Sequence, residues 1–305
     1  MDSIRTKQEW NLHGKYVVIT GATNGIGLAA AKALAARGAN LGIVARNKSK
    51  ADEVASQIKH LTNNRSIVDV FIADMASQRS ISQVAAEILD SCFKVDVLVN
   101  NAGALFETRQ ITEDGVEMTW AVNHLAPFLL TSLLLDRLKE SASARVITTT
   151  SHGHKMVKKG IEFSDLSSER FYSGFKKLMG GPTLCYAQSK LGNILFTSEL
   201  ARRLEGSNVT AHCFDPGLVA TNFNQNNSAL ARATMAVMKP FSRTPEEGAD
   251  TLVWLAEVSD ITGLNGQYCA DRQVMTPSDM AIDKEAAKRL WEISEEQVRK
   301  SGTLE

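Results

Sequence analysis

Tyr186 and Lys190, four residues apart in Tyr-Ala-Gln-Ser-Lys, are the pair whose types and spacing best suit chemistry. On a helix, positions i and i+4 share one face, so a phenol and an ammonium can point into one site. A neighbouring cation stabilises phenolate and lowers the phenol pKa from its reference of about 10, towards the range where a general acid–base works best. Such a pair also recurs on helix surfaces that do nothing, so the rest of the chain must decide. Thr20-Gly-Ala-Thr-Asn-Gly-Ile-Gly27 adds a second signal. Glycines 21, 25 and 27 at the start of a helix let the backbone approach a pyrophosphate, and the helix N-terminus supplies oriented N–H donors. Taken alone, the same turn could be a tight strand–helix connection that binds nothing.

The elements that must position these residues alternate. Lys15–Thr20, Leu41–Ala45, Ser66–Ala73, Val95–Asn100, Arg145–Thr150 and Asn208–Phe214 are short, apolar, β-branched runs, with Gln267–Ala270 as a last strand. Between and after them, Gly27–Arg37, Lys50–Leu61, Ser77–Phe93, Thr119–Lys139, Leu184–Leu204 and Pro245–Glu257 carry helical patterns. Strands alternating with helices of this length imply βαβ units. Right-handed crossovers then predict an α/β, doubly wound, Rossmann-like parallel sheet with helices on both faces. No linker or composition break interrupts the pattern, which predicts a single domain over residues 1–305.

Apolar residues make up 44% and charged residues 22% of the 305, ordinary for a globular protein with a sizeable core. Lys+Arg and Asp+Glu both total 34, so nothing global points to nucleic acid or to an anionic membrane surface. Residues 1–10 lack the apolar core of a signal peptide. The most apolar stretch, Leu125–Leu135, contains Pro127, Thr131 and Ser132 and falls short of the ~20 residues a membrane helix needs. Cys92, Cys185, Cys213 and Cys269 are widely spaced, arguing against a zinc site or a disulfide framework. A soluble, cytoplasmic protein without a transmembrane segment is the expectation.

The glycine spacing, Gly-x-x-x-Gly-x-Gly, resembles that of the short-chain dehydrogenase/reductase family. The resemblance continues in order through Asn100-Asn101-Ala102-Gly103 after the fourth strand, Asn123 in Ala-Val-Asn-His, Ser151 after the fifth strand, Tyr186 and Lys190, and Asp215-Pro216-Gly217 with Thr221 after the sixth. It covers about Gly14 to Ala270. It implies that Tyr186 is the proton donor or acceptor, that Ser151 hydrogen-bonds the substrate oxygen, and that Lys190 tunes the phenol and holds the nicotinamide ribose. Asn123 would position a water that relays protons to Lys190. Gly21, Thr23, Asn24, Gly25, Ile26, Gly27, Asn101, Ala102, Gly103, Pro216, Gly217 and Thr221 would line the cofactor, and Asp74 would meet its adenine. For Ser151 alone, a strand-end cap is the bland reading.

Cofactor choice is read at the end of the second strand, where an acid would bind the adenosine ribose 2′-OH. Val44-Ala-Arg46-Asn-Lys48 has none, and Arg46 can pair with a 2′-phosphate through a charge-assisted fork. This favours NADP(H) over NAD(H); ordinary solvated charges are the alternative. Between Ser151 and Tyr186, the insertion at about Lys155–Pro182 carries Met156, Ile161, Phe163, Phe171, Phe175, Leu178 and Met179 among five lysines. It reads either as a lid for a bulky apolar substrate or as a satellite that covers a helix face. Asn222–Arg243 is a second candidate wall. His152 and His154 flank Gly153 as loop residues, and Cys185 reads as a packing thiol.

The insertion, Tyr-x-x-Ser-Lys-Leu-x-Asn at 186–193, Thr-Pro-Glu-Glu-Gly at 244–248 and a C-terminal helix at about 284–298 are similar to the retinol dehydrogenase-like branch. The expected function is interconversion of an alcohol and its carbonyl on a small hydrophobic substrate, in a monomer or homodimer. The rivals are olefin reduction on the same scaffold and a non-catalytic NADP(H)-binding regulator.

Overall fold

The computed structural model describes residues 10–219, 242–261 and 263–299. Its elements run β1 (Tyr16–Thr20), α1 (Gly25–Ala36), β2 (Asn40–Ala45), α2 (Lys48–Leu61), β3 (Val68–Ile72), α3 (Gln78–Ser91), β4 (Val97–Asn100) and α4 (Met118–Glu140). They continue with β5 (Ala144–Thr149), the short α5 (Gly174–Leu178), α6 (Gly181–Arg203), β6 (Val209–Phe214), α7 (Pro245–Glu257), β7 (Tyr268–Ala270), β8 (Gln273–Val274) and α8 (Lys284–Arg299). The strands form one sheet in the order β3-β2-β1-β4-β5-β6-β7-β8, with every neighbouring pair parallel except β7–β8. The doubly wound α/β fold read from the alternation is therefore present. The antiparallel β8 was not anticipated, because two exposed residues carry no periodic signal.

Each face of the sheet is sealed by its own apolar layer. Leu34, Val54, Ile58 and Leu252 from α1, α2 and α7 cover one face, and Ile81, Leu134, Ile194 and Leu290 from α3, α4, α6 and α8 cover the other. Because both faces are buried, the strands read as continuous apolar runs rather than alternating ones. α4 differs from the expected regular helix by a π-helical turn at Ala121–Leu125. By length and composition α4 could cross a membrane, contrary to the shorter stretch expected, but 72% of its apolar window is buried inside the protein, so it acts as a core helix.

His124 and His212 are buried in this frame, and desolvation holds them down to about 3 and about 4. Both folded values lie below the unfolded value of about 6.5, so both rings are neutral at pH 7. Their contribution to stability is fully present above about pH 6.5 and is lost as pH falls from there through about 4 and then about 3. The urea midpoint is expected to drop between about pH 7 and about pH 5. A flat midpoint across that range would contradict neutral burial.

Candidate active site

The carboxyl ends of β1, β4, β5 and β6 meet where the strand order reverses, the crevice in which open α/β sheets bind ligands. Thr20 latches two of the loops there: its Oγ accepts the N–H groups of Asn101 and Ala102, each at 3.0 Å. Asn101 in turn donates its side-chain amide to the carbonyls of Thr20 (2.9 Å) and Gly21 (3.3 Å). Asn101 thus braces the glycine turn from below.

The turn itself is a cradle that side chains would fill. A Cβ on Gly27 would lie 2.3 Å from the Gly21 carbonyl oxygen, and one on Gly21, whose φ is +71°, would lie 2.9 Å from Ala102 Cα. Asn24 precedes α1 but makes no side-chain cap, and no acidic residue sits in the first turn. By contrast α2, α3 and α7 are capped by Asn47, Ser77 and Thr244. Helix α1 therefore keeps its N-terminal N–H donors for an anion. At the end of β2, Lys48 is paired with Asp52 at 2.8 Å, whereas Arg46 is exposed and has no ion-pair partner among the described residues. Asp74, also exposed, accepts the N–H of Ala76. These residues fit a dinucleotide: a glycine turn with uncapped N–H donors precedes α1, and Arg46 at the end of β2 has no ion-pair partner among the described residues.

On the other side of the crevice, α6 is pinned to the end of β5. The Thr149 carbonyl accepts Lys190 Nζ and Asn193 Nδ2, both at 3.1 Å, and Thr150 Oγ donates to the Lys190 carbonyl at 2.7 Å. This fixes Ser151, one residue further on, relative to Tyr186 and Lys190. Tyr186 is half-buried, and Ser151 is close enough to act on its phenol. Lys190 is buried, its Nζ 5.6 Å from the Tyr186 ring centre. Desolvation holds the ammonium down to about 8. The same desolvation pushes the phenol above its ordinary range, and the group that pulls it back is Ser151. Within the protein alone, Ser151 rather than the expected Lys190 is the group that opposes burial at the phenol.

Asn123 lies in the π-helical turn with its amide committed at both ends. Oδ1 accepts Ala104 N–H at 2.8 Å, while Nδ2 donates to the Ala104 carbonyl at 2.9 Å and to Ser189 Oγ at 3.0 Å. Its side chain therefore ties the β4 loop to α6, which leaves any water-positioning role to its main chain. Gly103 makes room here, because a Cβ would lie 3.2 Å from Asn123 Oδ1 and 3.3 Å from Lys190 Nζ. In the β6 loop, Asp215 accepts Gly217 N–H at 2.9 Å and the Tyr268 hydroxyl at 2.8 Å, which shapes Pro216 and Gly217. Thr221 and most of the wall at 222–243 lie outside the described residues.

His154 is a site-building residue that the sequence reading passed over as a loop histidine. It is buried, and Ser278 N–H donates to its Nε2 at 3.1 Å. Nε2 must then be unprotonated, so Nδ1–H donates to the Ser151 carbonyl at 2.8 Å. His152, by contrast, is largely exposed, 3.9 Å from Asp215. Cys185 is buried against Glu117 and Ser168, and burial pushes its thiol up to about 12. This is an inert packing thiol.

Part of the insertion packs on the side of α6 away from Tyr186 and Lys190. Leu184 and Gln188 line its cleft of about 660 Å³ together with Ile161, Phe163 and Phe171, and Glu162 N–H donates to Gln188 Oε1 at 2.8 Å. Two residues separate Leu184 from Tyr186 and Gln188 from Lys190, about 200° around a helix. The insertion therefore backs the opposite face of α6, as a satellite would, and this part of it is not a lid.

With this geometry in place, comparison with known proteins is specific. Residues 15–163 match the short chain dehydrogenase family model. Retinol dehydrogenase 14 of Mus musculus is 40% identical over 299 residues, covering 93% of this chain and 86% of its own. Among solved structures, a protein of Mycobacterium paratuberculosis superposes with a TM-score of 0.73 at 31% identity, covering 96% of both chains. A short chain dehydrogenase from Burkholderia cenocepacia in complex with NADP superposes with a TM-score of 0.66 at 25% identity, covering 85% of this chain and 96% of that one. The chain belongs to the short-chain dehydrogenase/reductase family, in its retinol dehydrogenase-like branch, and is an oxidoreductase that uses a nicotinamide cofactor to interconvert CH–OH and C=O groups.

Proposed function

We propose that this oxidoreductase is NADP(H)-dependent, acts on lipophilic alcohols or carbonyls of the retinoid, steroid or aromatic-ketone kind, and works through Ser151, Tyr186 and Lys190. The observation that carries the reading is the convergence of Ser151, at the carboxyl end of β5, with Tyr186 on α6 and with Lys190 buried beneath its ring. When bound, the nicotinamide supplies or accepts the hydride. The protein's own part is proton management. Burial keeps the Tyr186 phenol protonated at neutral pH, so it stands ready to donate to a carbonyl oxygen. Ser151 Oγ offers that oxygen a second hydrogen bond as its charge develops, a small oxyanion hole. Lys190, its pKa near 8, is charged at neutral pH and fixed by Thr149.

The unpaired Arg46 and the pairing of Lys48 with Asp52 support NADP(H) over NAD(H), as does the NADP complex of the Burkholderia relative. Arg46→Asp is expected to lower kcat/KM for NADPH and raise it for NADH. An unchanged ratio of the two would remove the assignment. The retinol dehydrogenase relatives support a lipophilic substrate. NADPH oxidation with retinal, steroid ketones, aromatic ketones and short polar aldehydes tests it, with turnover expected on the large apolar members. Turnover confined to the short polar aldehydes would exclude the substrate class.

A single domain and a monomer or homodimer complete the reading. Helix α8 packs along α6, with Trp291 stacked on Phe196 (centroids 5.9 Å apart) and Arg203 over Trp291 at 4.4 Å. We also place the protein in the cytoplasm.

A further inference from the structure

Helix α5 buries none of its residues. From Ser173 to Met179 the chain is exposed without a break, and the side chains it presents are Phe175 (74% exposed), Leu178 (82%) and Met179 (67%), with Lys176 and Lys177 among them. Met156, 47% exposed, and the exposed Lys158 and Lys159 line the same cleft as Lys176, so the two basic stretches are neighbours in space. Large apolar side chains left in water at this density mark an interaction surface.

The charge of this surface is one-sided. Within the insertion, Glu162 is paired with Arg170 and Glu169 with Arg109 at 3.0 Å. Asp165 is buried, accepting the N–H groups of Glu169 and Arg170. Lys158, Lys159 and Lys177 have no carboxylate partner among the described residues, and Lys176 lies over the Phe171 ring at 5.3 Å. Asp283 and, in α8, Glu285 and Glu292 line a separate groove with Phe163. A net charge of zero for the whole chain conceals this local excess.

We propose that Phe175, Leu178 and Met179, collared by Lys158, Lys159, Lys176 and Lys177, dock the protein peripherally on an anionic lipid surface. The apolar side chains enter the boundary between headgroups and acyl chains while the ammonium groups remain at the level of the anionic headgroups. A protein partner would have to match a seven-residue exposed run, whereas a bilayer asks only for apolar wedges and a cationic collar. The inference does not depend on the assignment of the active site, because it rests on the exposure and charge of the insertion alone.

Co-sedimentation of the full chain with phosphatidylcholine vesicles, with and without phosphatidylserine, tests it. Binding is expected only to the phosphatidylserine vesicles and is expected to weaken as salt rises. Replacing Lys176 and Lys177 together by Gln should lower the partition roughly 25-fold, at about 1 kcal/mol for each lysine near the surface. Phe175→Ser with Leu178→Ser should abolish it, with the circular dichroism spectrum and turnover of a water-soluble carbonyl unchanged. No binding to either vesicle, or equal binding by the variants, would overturn the proposal. So would concentration-dependent dimerisation abolished by the same substitutions, which would make the patch a contact between two copies.

Discussion

Tyr186→Phe is expected to lower kcat for carbonyl reduction by roughly 10²–10⁴-fold, the contribution of one positioned proton donor. The substitution keeps the ring, and with it the packing over Lys190 at 5.6 Å, so NADPH affinity should be unchanged. What is lost is the phenol on which Ser151 acts, and Ser151 cannot replace it, since an alcohol is a far weaker acid than a phenol. The effect should fall on kcat with little change in KM, the signature of an interaction made in the transition state. Single-turnover kinetics with NADPH in excess, alongside a binding titration, separate the two. Full turnover by the Phe variant would remove Tyr186 from the mechanism.

Gly27→Ala should be nearly as damaging, by a different route. Its methyl would sit 2.3 Å from the Gly21 carbonyl oxygen and 2.5 Å from Asn101 Nδ2. Neither neighbour is free to yield. Gly21 belongs to the backbone of the turn, and Asn101 is held by both Thr20 and Gly21. Opening the turn to admit the methyl breaks those hydrogen bonds, for a cost of about 1–3 kcal/mol. It also misaims the N–H donors of α1, so NADPH affinity should fall at least tenfold, at about 1.4 kcal/mol per decade. A melting temperature and a Kd that both match the unsubstituted protein would show that the turn is looser than its contacts imply.

What was legible in the chain follows from how locally each feature is encoded. Pro245–Glu257 was read to the residue because Thr244 and Glu247 form a capping box, a signal contained within four positions. Most strands were read within two residues, since fully buried parallel strands are plain apolar runs. The contacts that organise the site were harder. The π-helical turn of α4 coincides with the tie between Asn123 and Ala104, and the role of His154 depends on Ser278, 124 positions away. Lys190 was expected to lower the phenol pKa because spacing reveals which groups are near; it does not reveal how deeply both are desolvated. The placement of the insertion was half-legible. Leu184 and Gln188 already stood opposite Tyr186 and Lys190 in the helical pattern, but only packing could say which pair the insertion would meet.

The tie from His154 to Ser278 has a consequence for the order in which this molecule becomes an enzyme. A chain leaving the ribosome has every candidate catalytic side chain available once Lys190 has emerged, and it can pair β1 to β5 soon after. Yet the His154 ring that braces the loop carrying Ser151 lacks one of its two partners until Ser278 has followed, and the Asp215 loop likewise waits for Tyr268. The nascent protein is thus assembled as a scaffold first and becomes competent last, when its C-terminal segment docks. A ribosome stalled before residue 268 would carry strands β1 to β6 of the sheet with an unfinished active site.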